Sequence, residues 1–104
     1  MKHIVISASL GLALSSGAAL AADAQQLLKD KACLSCHQLD KKLVGPAYKD
    51  VAAKYKARKD AEAYLVKKIL GGSTGVWGPI PMPPNGTVNQ DEAKTLAKFV
   101  LTVK

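Results

Sequence analysis

Aromatic side chains are scarce in this sequence: one tryptophan, three tyrosines and one phenylalanine make up 5% of it. Large rings therefore cannot supply much of a core. No run alternates apolar and polar residues, which leaves no basis for a sheet. Cysteine, histidine and methionine are each present only twice. Acidic residues are outnumbered, eight Asp and Glu against fifteen Lys and Arg, for a net charge of +7. With 104 residues there is room for one domain. Two-domain enzymes, doubly wound folds, collagen-like chains and coiled-coil arrays are excluded by length and composition. The 48% of hydrophobic residues argues against wholesale disorder.

The chain opens with Met1, Lys2 and His3, followed by an apolar run from Ile4 to Leu20. A positive start, an apolar middle and the small-residue ending Ala19-Leu20-Ala21 read as a secretory signal. Cleavage is expected after Ala21, with the bond after Ala22 as the alternative. The run is just long enough to span a membrane, but its Ala, Ser and Gly content favours a cleaved leader over an anchor. Residues 1–21 are thus a signal peptide and residues 22–104 the mature domain. Removing the leader takes His3 and Met1 with it. The mature chain keeps His37, Met82, Cys33 and Cys36, and any metal or redox chemistry must be written with those four.

Export implies an oxidising compartment such as the periplasm. A chain of this size usually needs a staple. A Cys33–Cys36 disulfide closes almost no loop and would stabilise little. The remaining patterns are helical. Asp23 is placed to cap a helix through Lys31 that carries Leu27 and Leu28. Residues 33–45 read as a loop. After Pro46, the residues Tyr48, Val51, Ala52 and Tyr55 share one helical face. Asp60 is expected to cap a third helix, with Ala61, Leu65 and Ile69 on one stripe and Gly71-Gly72 at its end. Residues 71–88 hold four of the five prolines and read as a long loop without structure of its own. Asn89 and Glu92 have capping-box spacing for a last helix with Leu96, Phe99, Val100 and Val103 inward. The apolar area of these four short helices is small, and a large apolar group from outside the chain would complete the core.

Cys33-Leu34-Ser35-Cys36-His37 is C-x-x-C-H, the attachment pattern of c-type haem. Two thiols at this spacing can add to the two vinyl groups of one porphyrin, and the adjacent imidazole then meets the iron. A thioredoxin-like pair would need a βαβ setting, which the helical pattern lacks. A structural zinc site needs four ligands, and the mature chain has three at this motif with no further Cys or His. Met82 lies in Pro79-Ile80-Pro81-Met82-Pro83-Pro84. A proline-hemmed backbone suits a thioether held at a fixed distance from iron better than an adaptable core filler. His37 and Met82 are therefore the expected axial ligands, an arrangement that raises the reduction potential.

With these residues in view the chain resembles the small class I bacterial c-type cytochromes, in particular the cytochrome c five-fifty-one group. The resemblance runs from about Leu27 to Lys104. It includes Cys33-x-x-Cys36-His37, Val44-Gly45-Pro46-Ala47-Tyr48, Gly75-Val76-Trp77-Gly78-Pro79 and Pro81-Met82-Pro83-Pro84-Asn85. It implies an all-α cytochrome c fold wrapped around one covalently bound haem c. It implies that the Pro46 carbonyl accepts from the axial histidine. It also implies that Trp77 donates to a haem propionate, that Lys68 faces a propionate, and that the Asn85 amide approaches the Met82 sulfur. Asn85-Gly86 is equally a strong turn pair, and Lys68 equally a solvated helix lysine. The segment from Asn85 to Asn89 is one residue longer than the family pattern, and Phe99 stands where tryptophan is common.

An iron ligated on both sides leaves substrate no position, so the expectation is an electron carrier and not an enzyme. The resemblance implies periplasmic donation to a terminal reductase or oxidase, such as a nitrite reductase. The competing classes are a haem peroxidase or haem sensor with a displaceable ligand, and a thiol oxidoreductase. The basic surface suits redox partners with acidic docking surfaces. Nucleic acid is not expected, since export and the absence of basic–aromatic interleaving both argue against it. A monomer without a stable membrane anchor is expected.

Overall fold

A computed structural model describes residues 16–104. Four α-helices follow one another: α1 (Ser16–Asp30), α2 (Tyr48–Tyr55), α3 (Ala61–Gly71) and α4 (Gln90–Val100). A single 3-10 turn spans Cys33–Ser35. No strand forms among the described residues; two isolated antiparallel bridges pair His37 with Lys42 and Ser73 with Met82. The fold is all-α, as the helical periodicity predicts.

The last helix organises the others, packing against α1, α2 and α3. Ala24 on α1 and Ala93 and Ala97 on α4 are wholly buried. Such small side chains let helix backbones approach closely, which offsets the shortage of large ones. Leu28, Leu65 and Leu96 fill the remaining space with Tyr48, Val51 and Phe99. Each fully buried leucine contributes about 1.5–3 kcal/mol. The face predicted for α2 is the buried one: Tyr48, Val51, Ala52 and Tyr55. Phe99 joins the cluster that contains Ala24 and Leu28, and Val103 packs on it from beyond the end of α4.

The helix ends agree with the sequence at α4 and at the C-terminus of α3, and depart from it at the N-terminus of α3. Asn89 Oδ1 accepts from the Glu92 backbone N–H at 2.8 Å, and Glu92 Oε1 accepts from the Asn89 N–H at 3.0 Å, a complete capping box. Gly72 ends α3 at φ 81° and ψ 176°. This region of backbone space is essentially restricted to glycine. Asp60 occupies the cap position of α3, but its side chain does not cap the helix. Its carboxylate pairs instead with Arg58, whose Nη2 lies 3.1 Å from Oδ2. A charged, two-point partner outcompetes a backbone N–H for the same oxygens. Among the described residues α1 already runs from Ser16, so in the full chain Asp23 lies inside the helix. The alanine-rich stretch before Asp23 has the highest helix propensity available, so the helix extends through it. The predicted leader lies outside the described residues over positions 1–15, and both expected cleavage bonds fall within α1.

Candidate haem site

His37 sits two residues past the 3-10 turn. Its backbone N–H donates to the Cys33 carbonyl at 3.0 Å, and Gly45 N–H donates to Cys36 O at 2.7 Å. These bonds fold residues 33–45 back on themselves and bury the imidazole to 9% exposure. His37 Nδ1 is 2.8 Å from the Pro46 carbonyl oxygen. A carbonyl only accepts, so Nδ1 carries a proton, and in the neutral tautomer this bond selects the lone pair is on Nε2. The ring stacks on Tyr48 at 4.8 Å between centroids and 19° between planes.

Gly45 is a residue whose role the sequence did not announce. A Cβ placed there would lie 2.6 Å from His37 Cε1 and 2.9 Å from Nδ1. The imidazole occupies the space a side chain would take. Only its position beside Pro46 in the motif hinted at this.

Met82 comes from the proline-rich segment, a loop as predicted, and the loop is tied down by hydrogen bonds. Ser73 N–H donates to Met82 O at 2.9 Å and Met82 N–H donates to Ser73 O at 2.8 Å. A Cβ at Gly72 would meet Met82 O at 2.7 Å. Further on, Asn85 N–H donates to the Ile69 carbonyl at 3.0 Å. The Asn85 amide donates to the Lys31 carbonyl at 3.2 Å, and its oxygen accepts from Thr87 Oγ1 at 2.9 Å. Lys31 Nζ in turn donates to Thr87 O at 2.8 Å and lies 3.6 Å from Glu92 Oε2. Lys31 is a second residue the sequence reading passed over, because its partners lie more than fifty positions away.

These two segments share a cavity of about 370 Å³. Cys33, Cys36, His37 and Met82 line it, and so do Pro46, Lys68, Trp77 and Asn85. All eight residues singled out in the sequence are thus brought to one place. Both cysteines are unbridged and partly buried. Burial pushes the Cys33 thiol above its ordinary range. Trp77 is 38% exposed, with the Lys54 ammonium 4.6 Å from its ring centroid. Lys68 Nζ lies 5.1 Å from the centroid of the Tyr64 ring. Leu28, Val51, Leu65, Leu96 and Val100 supply apolar wall.

The donor set fits a haem. Two thiols at C-x-x-C spacing can form thioethers to it, a neutral imidazole offers Nε2, and a thioether comes from another loop, all around an apolar space. No cluster of three or more His, Cys, Asp or Glu side chains that could hold a bare metal ion occurs among the described residues.

Comparison with known proteins agrees. The family model for cytochrome c matches residues 21–104. Cytochrome c-551 of Pseudomonas aeruginosa is 57% identical over 94 residues, 90% of this chain and 88% of its own length. Cytochrome c-552 of Hydrogenobacter thermophilus is 50% identical over 104 residues and covers both chains completely. The crystal structure of Nitrosomonas europaea cytochrome c552 superposes with a TM-score of 0.75 at 55% identity, covering 77% of this chain and 99% of that one. The chain is therefore a member of the cytochrome c family, a haem c protein related to small electron-transfer cytochromes.

Proposed function

We propose that this protein is a diffusible one-electron carrier that works in the periplasm after residues 1–21 are removed. His37 Nε2 and the Met82 sulfur would hold the iron of a bound haem. When bound, haem c supplies an iron that takes up and releases one electron. The observation that carries the reading is the His37 Nδ1–Pro46 bond, which leaves Nε2 as the nitrogen available for a metal in the cavity that Met82 also lines. A histidine ligand fixed through its other nitrogen is more basic and better oriented.

The remaining residues divide the work. Pro46 sets the tautomer of His37. Trp77 and Lys68, on the cavity wall, would face the propionates of a bound haem. Asn85 acts as a turn residue, since its amide is committed to Lys31 and its oxygen to Thr87. With His37 and Met82 both holding the iron of a bound haem, substrate would have no place on the metal, which suits a carrier and not a catalyst. The apolar cavity disfavours the extra positive charge of the ferric form, and thioether ligation adds to that effect. The mature domain acts as a monomer, donating to a terminal reductase or oxidase such as a nitrite reductase. Among the described residues no helix is long and apolar enough to cross a membrane.

The test is the absorption spectrum of protein exported from cells competent for cytochrome maturation. A c-type reduced α band that survives acid-acetone extraction, with a weak near-infrared sulfur–iron band on oxidation, is expected. Met82→Ala should abolish the near-infrared band, lower the reduction potential and admit added imidazole. A high-spin oxidised spectrum in the unaltered protein would overturn the reading in favour of an open-site peroxidase or sensor.

A further inference from the structure

We infer that the corner joining α2 to α3 is the docking surface for an acidic patch on a redox partner, an inference that rests on the carrier reading above. Lys54, Lys56, Arg58 and Lys59 fall within six consecutive residues, and all four are exposed. The carboxylate within the corner, Asp60, is taken by Arg58. Lys54, Lys56 and Lys59 have no carboxylate partner among the described residues. Residues 22–104 hold fourteen basic and eight acidic side chains, so this short corner carries half of their net charge.

Two of these cations are held in place by rings. Lys54 Nζ lies 4.6 Å from the centroid of Trp77 and 5.6 Å from that of Tyr55. The Arg58 guanidinium lies 4.1 Å from the centroid of Tyr64. A cation on an aromatic face keeps its charge while losing its freedom, so little ordering remains to be done on binding. The same rings form one wall of the cavity. Tyr55 and Tyr64 stand 4.9 Å apart, and Tyr55 meets Trp77 edge-on at 6.2 Å. Trp77 and Ile80, 38% and 62% exposed, line the cavity and reach solvent. A partner drawn to this corner therefore arrives at the cavity wall itself.

Asp60 and Glu62 are the acidic residues at the corner, against its four cations, and three others are grouped away from it. Asp23, Asp91 and Glu92 line a groove between α1 and α4 that shares no residue with the haem cavity. A local excess of positive charge at the corner steers an acidic partner toward it. The corner has no exposed leucine, isoleucine or phenylalanine among residues 54–60, so it fits a hydrated acidic protein surface better than a lipid bilayer.

The experiment uses reduced holoprotein and two oxidants of opposite charge, ferricyanide and tris(phenanthroline)cobalt(III). Each takes one electron from the protein, yielding ferrocyanide or the cobalt(II) complex. Lys56→Glu/Lys59→Glu leaves the ring-bound cations untouched. It should slow ferricyanide about tenfold, flatten the dependence of that rate on salt and speed the cobalt complex. Lys94→Glu/Lys98→Glu on α4 changes net charge equally and should move each rate less than about twofold. Equal effects from the two double variants, or none from the first, would overturn the inference. Unchanged ferricyanide rates with lost binding to phosphatidylglycerol vesicles would overturn it in favour of a lipid surface. The absorption spectrum of the same samples reports axial ligation separately, so a failure of the carrier reading is distinguishable.

Discussion

The two segments that bring ligands to the cavity are built in different ways. The His37 segment is held by short-range bonds: Cys33 to His37, Cys36 to Gly45 and His37 to Pro46. The Met82 segment begins with a local pair to Ser73 but depends on Ile69 of α3 and on Lys31 at the end of α1. Lys31 and Thr87 are 56 positions apart. Short loops cost less entropy to close than long ones, so the His37 segment can form early and nearly alone. The Met82 segment waits for α1, α3 and α4 to pack. It follows that local opening begins on the methionine side.

The largest expected effect comes from Gly72→Ala. The substitution puts a Cβ into a backbone region that only glycine favours and presses it against the Met82 backbone. Backbone strain and overpacking together should cost about 3 kcal/mol in chemical denaturation of the holoprotein. The near-infrared band should weaken before global unfolding. Gly45→Ala tests the other segment. Its Cβ meets the imidazole and not backbone, and the cost should be about 1–3 kcal/mol. Here the reduced spectrum should change together with stability, because His37 itself is displaced. Gly86→Ala, with nothing within 4 Å, serves as the reference for both.

Lys31→Met keeps much of the side-chain volume and removes both long-range contacts of the ammonium. A loss of about 1–2 kcal/mol is expected. Added imidazole should bind the oxidised variant more tightly, with the His37 signals unmoved. Equal disturbance of both ligands would break the contrast between the segments.

The smallest effect is one of pH. Burial, aided by the hydrogen bond to Tyr64, pushes Tyr55 up to about 12. A phenol raised above its unfolded value near 10 contributes stability that is complete below about pH 10 and is lost as pH rises through 12. Tyr55→Phe should flatten the stability profile across that alkaline window. Tyr55 meets the Met82 segment through the edge of Trp77, 6.2 Å between centroids, and Tyr55→Phe keeps that ring, so the order of opening should not change.

Most of the helical architecture was legible because its signals are local. The buried face of α2 follows from four residues at helical spacing, and the Asn89–Glu92 box from two residues three apart. The misreadings are also local in cause. Asp23 looks like a cap when the preceding alanines are assigned to a leader, and in the full chain those alanines continue the helix. Asp60 looks like a cap until Arg58, two residues earlier, claims its carboxylate. The proline-rich segment is the loop it reads as, and its ties to Ile69 and Lys31 were not legible because those partners lie outside it.

The motif Cys33-x-x-Cys36-His37, the lone Met82 and the all-helical periodicity determined the cofactor and the fold class, because thioether spacing and helical repeat are both written along a few consecutive residues. Packing decided which hydrogen-bond partners meet. It committed Asn85 to Lys31 and Thr87, demanded the missing side chains of Gly45 and Gly72, and set Lys54 and Arg58 on the rings of the cavity wall. Those outcomes depend on distances between residues far apart in the chain, which exist only once α4 has brought the other helices together.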